Sequence, residues 1–297
     1  MKRHRCFSFL CSVALGIALI APLRVHCADS KPIRVLLVDG QNNHQWKNTS
    51  PILRQALEAS GRFTVDVSTS PEKGASSESW SQWNPAFSSY DVVLSNYNGQ
   101  LWPEGVRAAF EKYVSDGGGF VCVHAANNSF PEWLEYNRMI GIGGWGGRNE
   151  KNGPYLYVKD GKVVRDTAPG GGGSHGAQQE FVVEMLNLSH PITAGMPVRW
   201  LHAKDELYDS LRGPAENVEV LAYAFSVKSQ KNEPMIMTLS YGKGRVFHTP
   251  MGHADYSMKC VGFQSVMLRG TEWAATGSAS ISLPKEFPSA DAALSIP

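Results

Sequence analysis

The stretch Asp116–Ser129, DGGGFVCVHAANNS, decides how the rest of the chain is read. Three glycines, Gly117 to Gly119, close what reads as a helix. The apolar run Phe120 to Val123 then fits a strand buried on both faces, as in a parallel sheet. It stops at His124, followed by small and amide residues. In open α/β sheets ligands gather outside the carboxyl ends of the strands, so a polar side chain emerging there is a site candidate. A histidine satisfied by hydrogen bonds at a strand end is the plainer alternative.

Towards the N-terminus, Ile33–Val38 is an apolar strand ending at Asp39-Gly40, and the polar loop QNNHQWK (Gln41–Lys47) carries His44 and Trp46. Thr49 or Ser50 caps a helix with Pro51 at its first position, where proline costs least. Phe63–Val67 alternates as a second strand. Residues 69–89 form a serine-rich connection with Trp80 and Trp83, and Tyr90–Ser95 is a third strand. Pro103 opens a helix with Val106, Ala109, Phe110, Tyr113 and Val114 on its inner side. This order of buried-type strands and helices predicts an α/β fold whose mainly parallel sheet is covered on both faces.

Towards the C-terminus the pattern loosens. Pro131–Ile140 is a short helix bearing Trp133, and Gly141–Gly147 is a permissive loop with Trp145. Tyr155–Val158 and Lys162–Val164 read as a hairpin about Asp160-Gly161. The loop Gly170–Gly173 precedes strand-like Glu180–Met185 rather than a helix, which disfavours a phosphate cradle. Val218–Ala224 is a strand, Met235–Ser240 and Arg245–Thr249 form a hairpin, and a last helix runs from about Met258 to Ala275. Residues 31–277 are thus one α/β domain, and the Ser-, Ala- and Pro-rich residues 278–297 are expected to be a poorly ordered tail.

Lys2, Arg3 and Arg5, an uncharged apolar run from Cys6 to Leu23 and a short polar segment make residues 1–27 a secretory signal peptide, implying export to the periplasm or beyond. The apolar run is shorter than the roughly 20 residues a spanning helix needs. Its removal takes four basic and no acidic residues and moves the formal charge from +1 to −3, leaving no electrostatic footprint for nucleic acid or an anionic membrane. Of five cysteines, Cys122 and Cys260 then remain, and two without a spacing pattern are no disulfide framework.

Histidines cluster at predicted strand ends: His124, His248 and His253, with His44 a few residues past its strand. Histidine moves protons near neutrality, and Asp205 or Glu206 would supply a carboxylate. No HExxH, CxxC or His-x-His pair appears, which disfavours a closed structural zinc; three ligands from separate loops would still hold a divalent metal. There is no Gly-x-Ser-x-Gly elbow, and Cys122 lies too far inside its strand to act as a nucleophile. Tryptophans 46, 80, 83, 102, 133 and 145 fall in loops or at helix starts, where they suit stacking on sugar faces or plain packing over the sheet.

Read together, Asn43-His44-Gln45-Trp46, Gly117 to Ala126, His190-Pro191-Ile192-Thr193, Asp205-Glu206-Leu207-Tyr208, Tyr241 to Phe247 and Gly252-His253 resemble the ThuA-like (trehalose-utilization) family. The likeness spans roughly Ile33 to Gly277. It implies a flavodoxin-like α/β sandwich akin to class I glutamine amidotransferases and a link to sugar metabolism. In amidotransferases a cysteine occupies the strand-end elbow; His124 stands there in this chain, so thiolate glutaminase chemistry is expected to be absent. The resemblance also implies a histidine shortly after the glycine-rich loop, where this chain has Gly146-Gly147-Arg148-Asn149; His175 is the substitute it offers, unless the substrate has changed.

The resulting expectation is an exported enzyme acting on a sugar or keto-sugar by acid/base chemistry. His124 would be the central acid or base, His44 and His253 its partners, and Glu206 or Asp205 the carboxylate. Trp46, Asn127, Trp133, Tyr208 and His202 would bind a small carbohydrate. A non-catalytic sugar-binding module and a metal-dependent hydrolase are the alternatives. No cofactor beyond a divalent metal is indicated.

Overall fold

The computed structural model describes Met1 and residues 31–297, so the predicted leader lies outside the described residues apart from its first. The parallel-type strands come early: β1 (Ile33–Asp39), α1 (Trp46–Ala59), β2 (Phe63–Thr69), α2 (Ser77–Gln82), β3 (Val92–Ser95), α3 (Glu104–Ser115) and β4 (Gly119–Val123). Then follow α4 (Leu134–Ile140), β5 (Tyr155–Lys159), β6 (Lys162–Asp166), the two-residue β7 (Ser174–His175), β8 (Gln179–Met185), β9 (Arg199–Asp205) and the two-residue β10 (Tyr208–Asp209). The chain closes with β11 (Glu219–Ser226), β12 (Lys231–Tyr241), β13 (Gly244–Thr249), α5 (Asp255–Met258) and α6 (Val261–Thr276).

Eleven strands form one sheet, whose main path runs β2-β1-β3-β4-β13-β12-β11-β8-β9, with β5 on β12 and β6 on β5. From β2 to β13 every pairing is parallel, and from β13 outward every pairing is antiparallel. The fold is therefore an α/β sandwich of the flavodoxin-like kind that the resemblance implies, its parallel half as the strand runs predict and its antiparallel wing built from the less regular second half of the chain. Period-two alternation sorts the apolar side chains to two cores. Val35 and Leu37 of β1, with Val121 and Val123 of β4, pack with α1 and α6; Leu36 and Val38, with Phe120 and Cys122, pack with α3 and α4. Cys122 and Cys260 are free thiols in different cores.

The glycine triplet is needed at both ends. Gly117 stops α3 in the left-handed region (φ +124°), and a Cβ on Gly119 would stand 2.6 Å from the Ala274 carbonyl oxygen of α6. The segment 278–297 is not loose, contrary to its composition. Phe287 packs on Trp200, and backbone bonds tie Leu201 to Ser289, Val261 to Leu294 and Ile296 to Lys259. Its few apolar residues suffice because they meet an existing core surface. Among the described residues, no helix is long and apolar enough to cross a membrane.

Candidate active site at the sheet rim

The parallel strands β1, β4 and β13 point their carboxyl ends to one rim, and three histidines arrive there on the loops that follow. His44 follows β1 on a loop pinned by Asn42, whose Oδ1 accepts from His44 N (3.0 Å) and whose Nδ2 donates to Asn96 O (3.1 Å). His124 follows β4 directly with φ +46°, so the sharp strand-end elbow is kept with an imidazole on it. His253 follows β13 after Gly252, whose φ is +107°.

The carboxylates come from the far wing. Although β9 stands four places from β13, Asp205 at its end bonds the loop after β13: Oδ2 accepts from Gly252 N (2.7 Å) and Oδ1 from His253 N (2.9 Å). In a flat sheet four strand spacings would separate them by roughly 19 Å. The wing therefore curls back over the rim, and the loop reaches across to it. Asp205 also accepts from Glu206 N (2.8 Å) and from His202 Nε2 (2.8 Å). It faces the protein, positions its neighbours and leaves Glu206 as the carboxylate that reaches the site.

His44, His124, Glu206 and His253 bring one ligand-type atom each to within 4.8 Å of one another. Glu206 Oε2 lies 3.0 Å from His253 Nδ1 and 3.8 Å from His124 Nε2. The His44 ring centroid is 4.8 Å from that of His124 and 4.4 Å from that of His253. His124 Nδ1 meets Pro250 O (2.7 Å), which makes it the donor and leaves Nε2 as a lone pair. His124 Nε2 is buried without a hydrogen-bond partner, whereas His253 Nδ1 lies against the Glu206 carboxylate.

Charge in the cluster is settled by burial and mutual repulsion. Burial, then the neighbouring His124 and His253, pull His44 down to about 3, and burial pulls His124 down to about 4 against the Asp205 charge. Burial alone would raise Glu206, but the histidines around it, His253 first, hold it at about 2. At neutral pH the cluster thus presents neutral His44 and His124 rings beside an ionised carboxylate. Burial and the carboxylates keep the Tyr208 phenol protonated.

Above the cluster opens a cleft of about 630 Å³. Asn43, Asn98 and Asn128 supply amides, Trp145 and Tyr208 supply ring faces (centroids 4.6 Å apart), and His175 stands 4.0 Å from Glu206 Oε1. Tyr208 Oη lies 3.0 Å from His44 Nε2, and its ring lies against His124 at 4.1 Å. His124 is 2 % exposed and forms the floor rather than a wall.

Several expected binding residues lie elsewhere. Trp133 is buried in an aromatic cluster with Trp102 and Phe130, its Nε1 donating to Glu111 (2.5 Å), because the serine-rich segment and α3 need large side chains between them. Trp80, Trp83 and Trp102 belong to the same cluster. Asn127 turns inward to His248, itself fully buried within β13, and Asn128 is the amide that faces the cleft. His202 is enclosed by Phe181, Trp200 and Phe263 and acts on Asp205. Trp46 lines an adjoining cleft with Asn43 and Asn98. His175 enters because β7 pairs with β10, setting it opposite Tyr208; a two-residue bridge between distant loops leaves no periodic mark in sequence. Arg148, in the place where a histidine was expected, is a buried clamp donating to Asn128 O, Gly144 O and Ser129 O.

The ThuA family model, described as trehalose utilisation, matches residues 34–274. The chain belongs to the ThuA family. A solved ThuA-like protein of Parabacteroides merdae is 46% identical over 90% of this chain and 98% of its own, with a TM-score of 0.86. A ThuA-like protein of Bacteroides uniformis is 20% identical over 84% and 95%, with a TM-score of 0.56. The Salmonella typhimurium protein STM3548, 11% identical with a TM-score of 0.51 over 81% and 98%, shares the fold. A search of curated proteins returned no match.

Proposed function

We propose that this ThuA-family protein is exported and is a carbohydrate-active enzyme, acting on a sugar or keto-sugar at the cleft above His44, His124, Glu206 and His253. The observation that carries the reading is the floor of that cleft. Four potentially reactive side chains from four separate loops meet within 4.8 Å, under walls of amides and aromatic rings. Such walls suit a polyhydroxylated ring, whose hydroxyls pair with amides and whose C–H face lies on an aromatic surface.

The roles differ from those the sequence suggests. His124, floor-bound with Nδ1 tied to Pro250 O, is not placed to exchange a proton with substrate. His175, partly exposed beside Glu206, is the histidine placed to carry a proton to or from substrate. Tyr208, kept protonated, donates a hydrogen bond to oxygen on which negative charge develops.

The experiment is turnover of a panel of glycosides and their ring-oxidised keto forms by wild type, Glu206→Gln and His175→Ala. Wild type is expected to turn over at least one of them, with a loss of about 10²–10⁴ in kcat/KM in each variant. Saturable binding with no turnover by wild type would make the protein a sugar-binding module. Unchanged turnover in both variants would place the chemistry elsewhere.

A further inference from the structure

We propose that His44, His124, His253 and Glu206 are the ligand set of one divalent transition-metal ion of the zinc class, bound at the floor of the cleft. The inference rests on the preceding reading only for the sugar that the ion would meet.

Separation comes first. Ligands about 2.0–2.1 Å from a tetrahedral zinc stand about 3.4 Å apart. The distances from Glu206 Oε2 to His253 Nδ1 and His124 Nε2, 3.0 and 3.8 Å, bracket that value. The whole set lies within 4.8 Å, so small side-chain rotations close it.

The second observation is what one ring nitrogen of the set lacks. A buried ring nitrogen without a partner forfeits a hydrogen bond that water would have given it, and such atoms are rare. One occurs here, His124 Nε2, which faces the Glu206 carboxylate from 3.8 Å. His253 accepts from the Gln178 amide at Nε2 (2.9 Å) and meets Glu206 Oε2 through Nδ1, whose proton an ion would replace, whereas the opposite nitrogen of His124, Nδ1, donates to Pro250 O. Metal-ligating histidines are oriented in this way, one nitrogen held by an outer partner and the other presented to the ion.

Charge agrees with a cation. Glu206 in the set and Asp205 behind it carry negative charge, and no lysine or arginine is among the described residues lining the cleft. Three imidazoles select the zinc class over magnesium or calcium, which take oxygen ligands. His44, His253 and Glu206 line the cleft whereas His124 lies beneath it, so a sugar oxygen would approach from the side of the amides and His175 as a fifth ligand. A metal there would polarise that oxygen as a Lewis acid, adding to the hydrogen bond from Tyr208.

The test uses the full-length chain processed by its host. It combines elemental analysis of the protein as isolated, titration of the chelator-stripped protein with Zn²⁺, Co²⁺, Mn²⁺ and Mg²⁺, and the visible spectrum of the Co²⁺ form. One transition metal per chain is expected. Binding should fall at least 100-fold in His253→Ala and Glu206→Ala, with Mg²⁺ far weaker throughout. Sub-stoichiometric metal with no saturable titration of the stripped wild type would overturn the proposal, as would variants that bind as tightly as wild type. If a variant fails to fold, the wild-type Co²⁺ spectrum decides: bands of imidazole-ligated cobalt support the set, and a spectrum of hydrated cobalt refutes it. Metal bound without sugar turnover would sink the enzymatic reading alone. Turnover that survives complete stripping would remove the ion from the chemistry and leave the acid/base reading standing.

Discussion

The rim cluster and the aromatic slab drew attention in sequence for the same reason, a concentration of one residue class near strand ends, yet they are opposite kinds of structure. Trp80, Trp83, Trp102 and Trp133 meet ring to ring, with centroids 5.3–5.9 Å apart, and are nearly excluded from water. Their large faces are spent on one another. His44, His124 and His253 also approach ring to ring, but around a carboxylate and below an open cleft, with His124 Nε2 left unsatisfied. What separates the core from the site is that the core closes on itself, whereas the site sets a carboxylate and imidazole nitrogens beneath an open cleft.

That contrast can be broken most sharply by paired substitutions. Trp102→Ala should cost about 3–5 kcal/mol of stability, read by urea denaturation, while turnover per folded molecule stays within a few-fold. Glu206→Gln should do the reverse, with the activity loss given above and little change in the denaturation midpoint. If Trp102→Ala abolished activity in folded protein, the slab would belong to the site after all.

Asp205 tests how the rim is held. Asp205→Asn removes the charge from a carboxylate that takes four bonds, so His253 and Glu206 lose their shared anchor. A destabilisation of about 2–3 kcal/mol and a roughly 10–100-fold weaker metal affinity are expected, by denaturation and titration. An effect on stability with none on affinity would make Asp205 a fold residue only.

Away from the rim, Glu233 is 1 % exposed, bonded to Tyr155 and Ser229 and near Asp209, and burial raises its carboxyl to about 8 from 4.5. The folded state holds that proton more tightly than the unfolded chain. Its contribution is complete below pH 4.5 and is lost as pH rises through about 8. Glu233→Gln should flatten the stability profile across that window, read as denaturation midpoints on either side of it.

The smallest effect concerns the elbow. His124→Gly should be more stable than His124→Ala by roughly 0.5–1 kcal/mol, the left-handed penalty of about 1–2 kcal/mol less the ~0.4–1 kcal/mol by which glycine favours the unfolded chain. Equal denaturation midpoints would mean that the backbone relaxes there.

Sequence reading went furthest where chain direction alone decides position. Buried runs such as Phe120–Val123 determine a strand, parallel strands share a rim, and His44, His124 and His253 therefore meet. It failed where side-chain orientation decides. Asp205 and Glu206 are adjacent, yet one turns inward and the other to the cleft; Asn127 and Asn128 divide in the same way. Composition could not separate members of such pairs, because the deciding partners, Gly252, His253 and His248, lie 40 or more residues away along the chain. The tail misled for a related reason: a polar, proline-bearing segment has no pattern of its own when its few apolar contacts are borrowed from a finished core.

That tail has a further consequence. β9 ends the main sheet path and carries Asp205 and Glu206 to the rim, so its outer side would otherwise offer unpaired main-chain groups to any passing strand. Leu201 N is instead bonded to Ser289 O at 2.7 Å, with Phe287 seated on Trp200. The last twenty residues thus serve as a guard against edge-to-edge association, placed on the strand whose displacement would most directly disassemble the rim. A chain ending at residue 277 should therefore betray itself first by self-association, before any loss of its parallel core.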